Sequence, residues 1–440
     1  MTQNEALDIL KMGRNVFLTG PAGSGKTYLL NSYIQYLSKY KIPTAVTAST
    51  GIAATHMNGR TIHSWAAIGV KSHLTGKEIS ELRYHAYVRA RITSTKVLII
   101  DEISMLDAAR LDTIDQVCRA LRDNEEPFGG LQIVLCGDFF QLPPVHKRGE
   151  AAPEFAYESG VWGKADMAIC YLEKQYRQED KKFLEVLNAI RENRTDAETT
   201  KILMERHQRS IEGFAKPTKL YSLRRDVDAI NNFELVQIQK EPQAYWMEAR
   251  GKPSLVEELK RGCLAPEELI LKEGALVMFI QNNFERGYVN GTLGTVVGFD
   301  PENNYPMVRV KSGAVIIATP ASWAITENDK IVAEISQVPL ILAWAITIHK
   351  SQGMTLECAE VDLSKAFADG MGYVALSRVK TLDGIKLMGL NDTALRVSEK
   401  ITNFDKKLKE SSEKTKKDAS AVLWIEKRRT HKAFITRGKK

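Results

Sequence analysis

The chain lacks the features that would place it in a membrane, a secretory route or a disulfide scaffold. Its longest apolar run, Leu340 to Ile348, is broken by Thr347 and falls far short of the roughly 18 residues a membrane span needs. The opening MTQNEALDIL has neither the basic stretch nor the apolar core of a secretory signal. A cytoplasmic protein without a membrane partner is expected, with nuclear or mitochondrial residence left open because no targeting signal is seen. The five cysteines, Cys118, Cys136, Cys170, Cys263 and Cys358, are odd in number and never closer than 18 residues, which excludes a CxxC metal site and a fully paired disulfide framework. No repeat of solenoid period occurs. The only low-complexity piece, KKLKESSEKTKKD at Lys406 to Asp418, reads as a linker or frayed helix. A global positive field is missing too. The net charge is +7, yet residues 404–440 hold 13 Lys/Arg against 5 Asp/Glu, so the 403 residues before them sum to −1. Any nucleic-acid groove in the body must be local, and the basic tail either grips phosphate or is a solvated segment.

What is present is enough apolar material for two or three cores, at 440 residues and 44% hydrophobic. NVFLTG, PTAVTAS, KVLIIDE and QIVLCGD read as strands, with helices at Lys26 to Leu37 and Ala108 to Arg122. Strands alternating with helices imply a parallel sheet covered on both faces. Between the second and third strands, Thr75 with Glu78 forms a capping box opening a helix to about Arg91. Residues 66–95 therefore form a small insertion, and its excess of three positive charges suits either a duplex-facing wedge or a solvated helix face. A second α/β section starts near Tyr171, with a helix at Asp180 to Glu192 and a strand at Lys219 to Ser222. From about Gln239 the texture turns to short β segments, ALVMFIQ, TLGTVVGF, PMVRV and AVIIAT, which suggest a barrel of about five strands. At Leu340 the α/β texture resumes. The expected domains are 1–171, then 172–238 with 340–395, with a barrel at 239–339 inserted in the second and a basic tail at 396–440.

The stretch GPAGSGKT fits GxxxxGK[ST], follows a strand and opens a helix. Its residues Gly20, Pro21, Ala22, Gly23, Ser24, Gly25, Lys26 and Thr27, with Tyr28 beyond them, are the expected ATP contacts. Backbone amides cradle the β-phosphate, Lys26 meets the β and γ oxygens, and the Thr27 hydroxyl ligates Mg²⁺. Asp101 and Glu102 end an apolar strand at the carboxyl edge of the sheet, where an α/β fold binds its ligand. Asp101 would hold Mg²⁺ and Glu102 would polarise the attacking water, the plain alternative being a helix cap. Gln141 ends the next strand and either senses the γ-phosphate or is an exposed loop residue. Arg177, in EKQYRQ, and Arg378, in YVALSR, are not obviously claimed by a carboxylate at helical spacing. Each could stabilise charge on the transferring phosphoryl group or form a surface ion pair.

Taken in order, the motifs resemble those of superfamily 1 DNA helicases, and specifically the Pif family. They are Gln3, GPAGSGKT, ASTGIAA from Ala48, TIHSW from Thr61, DEISML from Asp101, GDFFQLPPV from Gly137, TIHKSQGMTL from Thr347 and YVALSR from Tyr373. The stretch from Asp107 to Val134 looks like the one that separates this branch from its RecD-like cousins, and PFGGLQ, Pro127 to Gln132, is its most specific part. The resemblance implies two RecA-like P-loop domains with parallel sheets sharing one ATP site, a small wedge-bearing insertion in the first and an SH3-like β-barrel in the second. It assigns Gln3 to adenine, Arg177 and Arg378 to the γ-phosphate, and places Gly353 near it. It implies 5′-to-3′ movement on single-stranded DNA, action on duplex or fork DNA as a monomer, and roles in DNA repair, recombination and telomere maintenance. The loops bearing Thr50, Gly51, Thr61, His63, Thr347, His349 and Lys350 touch DNA by the same likeness. From the residues alone, a hydroxyl or histidine near a strand end is more often a local cap, and Trp65 either stacks a base or plugs the root of the insertion. Two rival readings remain: a small-molecule phosphotransferase, and a nucleotide-gated DNA clamp that binds without unwinding.

Overall fold

The uninterrupted apolar runs near the N-terminus fold as strands buried on both faces, as strands of a parallel sheet must be. The computed structural model describes residues 1–69, 71–144, 153–178, 180–211, 217–222, 224–283, 285–327 and 330–439. Contacts divide the chain into two units: Met1–Tyr176 with Thr326–Lys330 and Lys400–Lys440, and Arg177–Ile325 with Ile331–Glu399.

The first unit opens with α1 (Gln3–Lys11), started by a capping box in which the Glu5 carboxylate accepts from Thr2 N at 2.7 Å. There follow β1 (Val16–Thr19), α2 (Lys26–Lys39), β2 (Thr44–Ala48), α3 (Gly51–His56), β3 (Arg60–Thr61) and α4 (Ile62–Trp65). The insertion carries α5 (Gly76–Leu82) and α6 (Ala86–Ser94); after it come β4 (Val97–Asp101), α7 (Ala108–Arg122), β5 (Gln132–Cys136), α8 (Gly160–Lys164) and β6 (Ala168–Tyr171). The six strands pair in parallel in the order β3-β2-β4-β5-β1-β6. Val16, Leu18, Ile99 and Val134 of the sheet pack against Leu29, Leu30 and Tyr33 of α2 and against Ile9 and Leu10 of α1.

One local expectation changes here, and one open choice closes. The capping box at Thr75 is present, but the helix does not run on to Arg91. Arg83, Tyr84 and His85 each bond three residues back, to Ser80, Glu81 and Leu82, and such tight bonds close a helix. The Trp65 indole is 2% exposed, and Arg91 donates to the carbonyls of Trp65 at 2.6 Å and Ser64 at 3.2 Å. Trp65 therefore plugs the root of the insertion. In PFGGLQ, Phe128 adopts a left-handed φ of 53°, is buried, and donates its amide to the Asp115 carboxylate at 2.6 Å.

The second unit contains α9 (Lys181–Arg191), α10 (Ala197–Met204), β7 (Thr218–Tyr221) and α11 (Arg224–Gln237). Next come β8 (Gln243–Trp246), β9 (Glu248–Gly251), α12 (Pro253–Gly262), β10 (Glu268–Leu271), β11 (Leu276–Phe279), β12 (Leu293–Phe299), β13 (Pro306–Val310), β14 (Val315–Ile317), β15 (Ala321–Glu327), β16 (Lys330–Gln337) and β17 (Leu340–Leu342). The unit ends with β18 (Ala345–Thr347), β19 (Ala359–Leu363), α13 (Met371–Leu376) and β20 (Ile385–Leu390). A parallel sheet, β18-β7-β19-β20, is interrupted in sequence by antiparallel strands arranged as β14-β13-β12-β11-β17, β15-β16-β9 and β10-β8. These strands enclose two apolar clusters, one around Val277, Phe279 and Val308, the other around Trp323, Ile325 and Ile335. The fifth strand of the larger sheet is Leu340–Leu342, which pairs with β11 although its sequence texture resembles the returning α/β section.

The C-terminal segment forms two helices, α14 (Glu399–Ala421) and α15 (Trp424–Lys439). The piece read as a linker or frayed helix lies inside α14, which buries Ile401, Asp405, Leu408, Ser412 and Thr415 on one face.

Candidate functional site

Every nucleotide-type motif of the first unit leaves the sheet at the carboxyl end of its strand. In sheet order these are Thr61 at β3, Ser49-Thr50 after β2, Asp101-Glu102 at β4, Gln141 beyond β5 and the phosphate loop after β1. Parallel strands force this, because each chain crosses back behind the sheet and re-emerges in the same direction.

Gly25 caps α2 with φ 83°, a left-handed angle that costs a glycine little. A Cβ there would stand 2.1 Å from the Gln3 amide nitrogen, which itself donates to Ser24 O at 3.2 Å. The Lys26 ammonium is turned into the loop and donates to Gly20 O at 2.8 Å and Pro21 O at 3.1 Å. The Ser24 hydroxyl is buried with no hydrogen-bond partner, and a buried polar atom of that kind fits a phosphate oxygen. Pro21 and Ala22 are buried, Gly23 is half-buried, and Thr27 and Tyr28 are exposed.

Asp101 is 7% exposed and accepts from Glu102 N at 2.9 Å. Burial raises its carboxyl above the usual range, against the opposing pull of the Cys136 thiol, the Glu102 amide and the Lys26 ammonium. Glu102 is held at φ 52°, ψ 45°. Gln141 is 6% exposed, so it is not a solvent-facing loop residue; its amide nitrogen lies 3.5 Å from Asp138 Oδ2 and its backbone N donates to Asp138 O at 2.9 Å. Val145, the last residue of that motif, lies outside the described residues.

In the second unit Arg177 and Arg378 come together around Ser377. Arg177 donates to Ser377 O at 3.0 Å, and Arg378 donates to Ser377 Oγ at 3.0 Å and to Val374 O at 3.0 Å. Arg378 is 2% exposed, which excludes a surface ion pair. Among the described residues two carboxylates, Glu173 and Asp180, stand near Arg177 in sequence, and both are engaged elsewhere; Glu179 lies outside the described residues. Glu173 faces the Met1 ammonium at 3.5 Å, and Asp180 caps α9 and accepts from Leu382 N at 3.2 Å. Burial, reinforced by Arg378, pushes the Arg177 guanidinium down to about 9, the direction an anionic ligand would reverse.

The threonines assigned to DNA all act as caps. Thr50 accepts from Ala53 N at the start of α3, where Gly51 is the first helical residue; Thr61 accepts from Ser64 N, and Thr347 accepts from Lys350 N. His63 lies in α4 and is half-buried, as is Lys350. The His349 ring lies 6.2 Å from that of Phe367, nearly parallel, and burial lowers its basicity. Gly353 is exposed, with φ 75°.

One residue given no role in the sequence reading stands beside the loop. Tyr176 is 54% exposed, donates its N to Gly23 O at 2.8 Å and has a ring carbon 3.9 Å from where a Gly25 Cβ would be. Its signal was the aromatic directly before Arg177.

A phosphate loop, an acidic pair and a buried glutamine on one edge of a six-stranded parallel sheet define a P-loop ATPase of RecA-like architecture. Residues 3–201 match the family model for PIF1-like helicases and residues 254–299 that for the 2B domain of DNA helicase Pif1. The ATP-dependent DNA helicase Pif1 of Psychrobacter sp. is 44% identical, over 94% of this chain and 71% of its own. Bacteroides sp Pif1 in complex with ADP-AlF4 is 32% identical with a TM-score of 0.81, covering 93% of this chain and 96% of that one. Bacteroides Pif1 bound to ssDNA is likewise 32% identical, with a TM-score of 0.64 over the same shares. The chain belongs to the PIF1-like helicase family. It spans less than two thirds of the length of its vertebrate relatives. Its two parallel sheets are the RecA-like domains, and the antiparallel strands between α11 and β18 are the barrel inserted in the second.

Proposed function

We propose that this protein is an ATP-dependent DNA helicase that moves 5′ to 3′ along single-stranded DNA and separates duplex or forked DNA. The observation that carries the reading is the order of loops along one sheet edge, where Ser49, next to the DNA-type residue Thr50, bonds the backbone of Asp101 and Glu102. In this scheme Gln3 reads the adenine and Tyr176 lies along its face. The loop Gly20 to Thr27 wraps the phosphates, with Lys26 neutralising the β and γ oxygens. Thr27 and Asp101 would hold Mg²⁺, which when bound neutralises charge on the phosphates. Glu102 takes the proton of the attacking water, Gln141 orients that water, and Arg177 and Arg378 stabilise charge on the transferring phosphoryl group, with Gly353 nearby.

Thr50, Gly51, Thr61, His63, Thr347, His349 and Lys350 form the single-strand track, and residues 66–95 the wedge. Bacteroides Pif1 has been seen bound to ssDNA, and a solved structure describes unwinding at forked dsDNA by two coordinating Pif1 helicases, which supports the same substrates here. The domain limits of this reading are 1–171, 172–238 with 340–395, and 239–339, with the last strand of the barrel sheet, Leu340–Leu342, falling just past the final limit. Among the described residues no helix is long and apolar enough to cross a membrane, and a cytoplasmic site of action is part of the proposal. Strand displacement on 5′-tailed and 3′-tailed duplexes tests it. Opening of the 5′-tailed duplex alone is expected; ATP-gated binding without displacement of either would return the protein to a clamp.

A further inference from the structure

We infer that the two C-terminal helices hold the adenine nucleotide site in register, α15 through α1 and α14 through the end of β6 and the aromatic residues beside Phe139, and that they govern nucleotide affinity without taking part in the chemistry. The inference rests on the assignment of Gln3 to the adenine base.

The helices touch three elements that border the nucleotide. On α14, Phe404 stacks on Tyr157 at 3.9 Å and packs edge-on against Phe139 at 5.9 Å, two residues before Gln141. Further along α14, the Asp405 carboxylate accepts from the Tyr171 hydroxyl at 3.0 Å and Ser412 Oγ accepts from Tyr171 N at 3.1 Å. The Tyr171 carbonyl accepts from the Met1 ammonium at 2.7 Å, so the residue that ends β6 is anchored at three atoms. Its neighbour Leu172 presents its carbonyl to Gly20, where a Cβ would approach to 2.3 Å.

The third contact is with α1 itself. On α15, His431 Nε2 donates to Asp8 O at 3.2 Å, and the Phe434 ring fills the space beside Gly13, where a Cβ would come within 2.5 Å. Helix α1 has 9 residues, and a helix below roughly 12 to 15 residues is marginal by itself. Its position is therefore set by what packs on it: Ala6, Ile9 and Leu10 face the core, and α15 supplies a further support. Displacing α15 would leave Gln3 free to drift from Ser24 while Lys26, Glu102 and Gln141 stay on the sheet. Contacts made equally to substrate and transition state affect KM and not kcat.

The test is steady-state ATPase of the full chain at saturating single-stranded DNA, for Phe434→Ala, Gln3→Ala, the double variant and Phe434→Leu. Phe434→Ala should raise KM for ATP about fivefold with kcat within about twofold, and Phe434→Leu should restore most of it. KM for GTP should move less, because the lost contact reads adenine. In the Gln3→Ala background Phe434→Ala should add less than about twofold, as expected when two changes act through one contact. Should Phe434→Ala prove insoluble, His431→Ala removes one hydrogen bond to α1 and carries the same expectation. An unchanged KM in the α15 variant, a fall in kcat alone, or full multiplication in the double variant would overturn the inference while leaving the Gln3 assignment standing. An unchanged KM in Gln3→Ala would overturn the assignment, and the inference with it.

Discussion

The Ser49 hydroxyl donates to the main-chain oxygen of Glu102 at 2.5 Å, and Ser49 N donates to Asp101 O at 3.0 Å. The loop proposed to begin the single-strand track is thus bonded to the backbone of both carboxylates proposed for catalysis. A DNA contact at Thr50 can bias the Glu102 backbone through this link. Ser49→Ala should therefore lower the stimulation of ATPase by single-stranded DNA about fivefold or more, within the usual range of coupling energies. The ratio of stimulated to unstimulated turnover measures it, and an undiminished ratio would make Ser49 a turn residue only.

Lys26 is the ammonium that enters the phosphate loop. Lys26→Ala should abolish turnover and unwinding while single-strand binding stays within a few-fold, measured by fluorescence anisotropy with a labelled oligonucleotide. Loss of DNA binding in step with turnover would show that the loop lysine supports the fold as well as the nucleotide.

Arg177 and Arg378 are like charges held on either side of Ser377. Replacing Arg378 by Ala should slow turnover by about 10³ with KM little changed, the usual size of an arginine contribution to phosphoryl transfer. Arg177 adds a stability signature. Its folded value of about 9 lies below the ordinary arginine value, so the unfolded chain binds the proton more tightly. The charged group therefore weakens the fold at pH 7, and the penalty fades only as pH climbs through 9 and beyond. Arg177→Met should slow turnover yet leave the melting temperature of the nucleotide-free protein unchanged or raised. A clear drop would mean that its bond to Ser377 is structural.

Burial lowers His349 below the usual histidine range, so at pH 7 it is neutral and brings no charge to a phosphate. His349→Asn should leave the salt dependence of single-strand binding unaltered, whereas Lys350→Ala should reduce the log–log slope by about 0.7, the value per released counterion. Binding isotherms at several salt concentrations decide this; equal slopes for wild type and Lys350→Ala would remove Lys350 from the track.

What was legible in the sequence was the chemistry carried by short stretches. The phosphate loop, the acidic pair and the strands before them are readable because each needs a local pattern: left-handed glycines, an apolar run, and a polar residue at its end. The pairing order of the strands brings Ser49 to Asp101, and that contact spans 52 residues of sequence, so nothing local encodes it. Helix α14 was legible only as a linker or frayed helix, and its packing escaped notice for a different reason. Three of its five buried positions are Asp405, Ser412 and Thr415, and a polar buried face leaves no apolar period to detect. The barrel was visible as four apolar segments, but Ala321–Glu327 and Lys330–Gln337 alternate polar and apolar residues too loosely to stand out. The insertion was foreseen with its cap and not with its break, because neither α5 nor α6 has an apolar stripe: α5 buries no residue and α6 only Ile92.

Glu102 is kept in the left-handed region, at φ 52° and ψ 45°, where a residue with a side chain is strained by about 1 to 3 kcal/mol. Glycine would relax there, so a thermostability screen run without a turnover assay should recover Glu102→Gly. Such a winner would melt later and hydrolyse nothing. Endurance and work pull in opposite directions at this one backbone position, and a library aimed at rugged variants has to hold it constant.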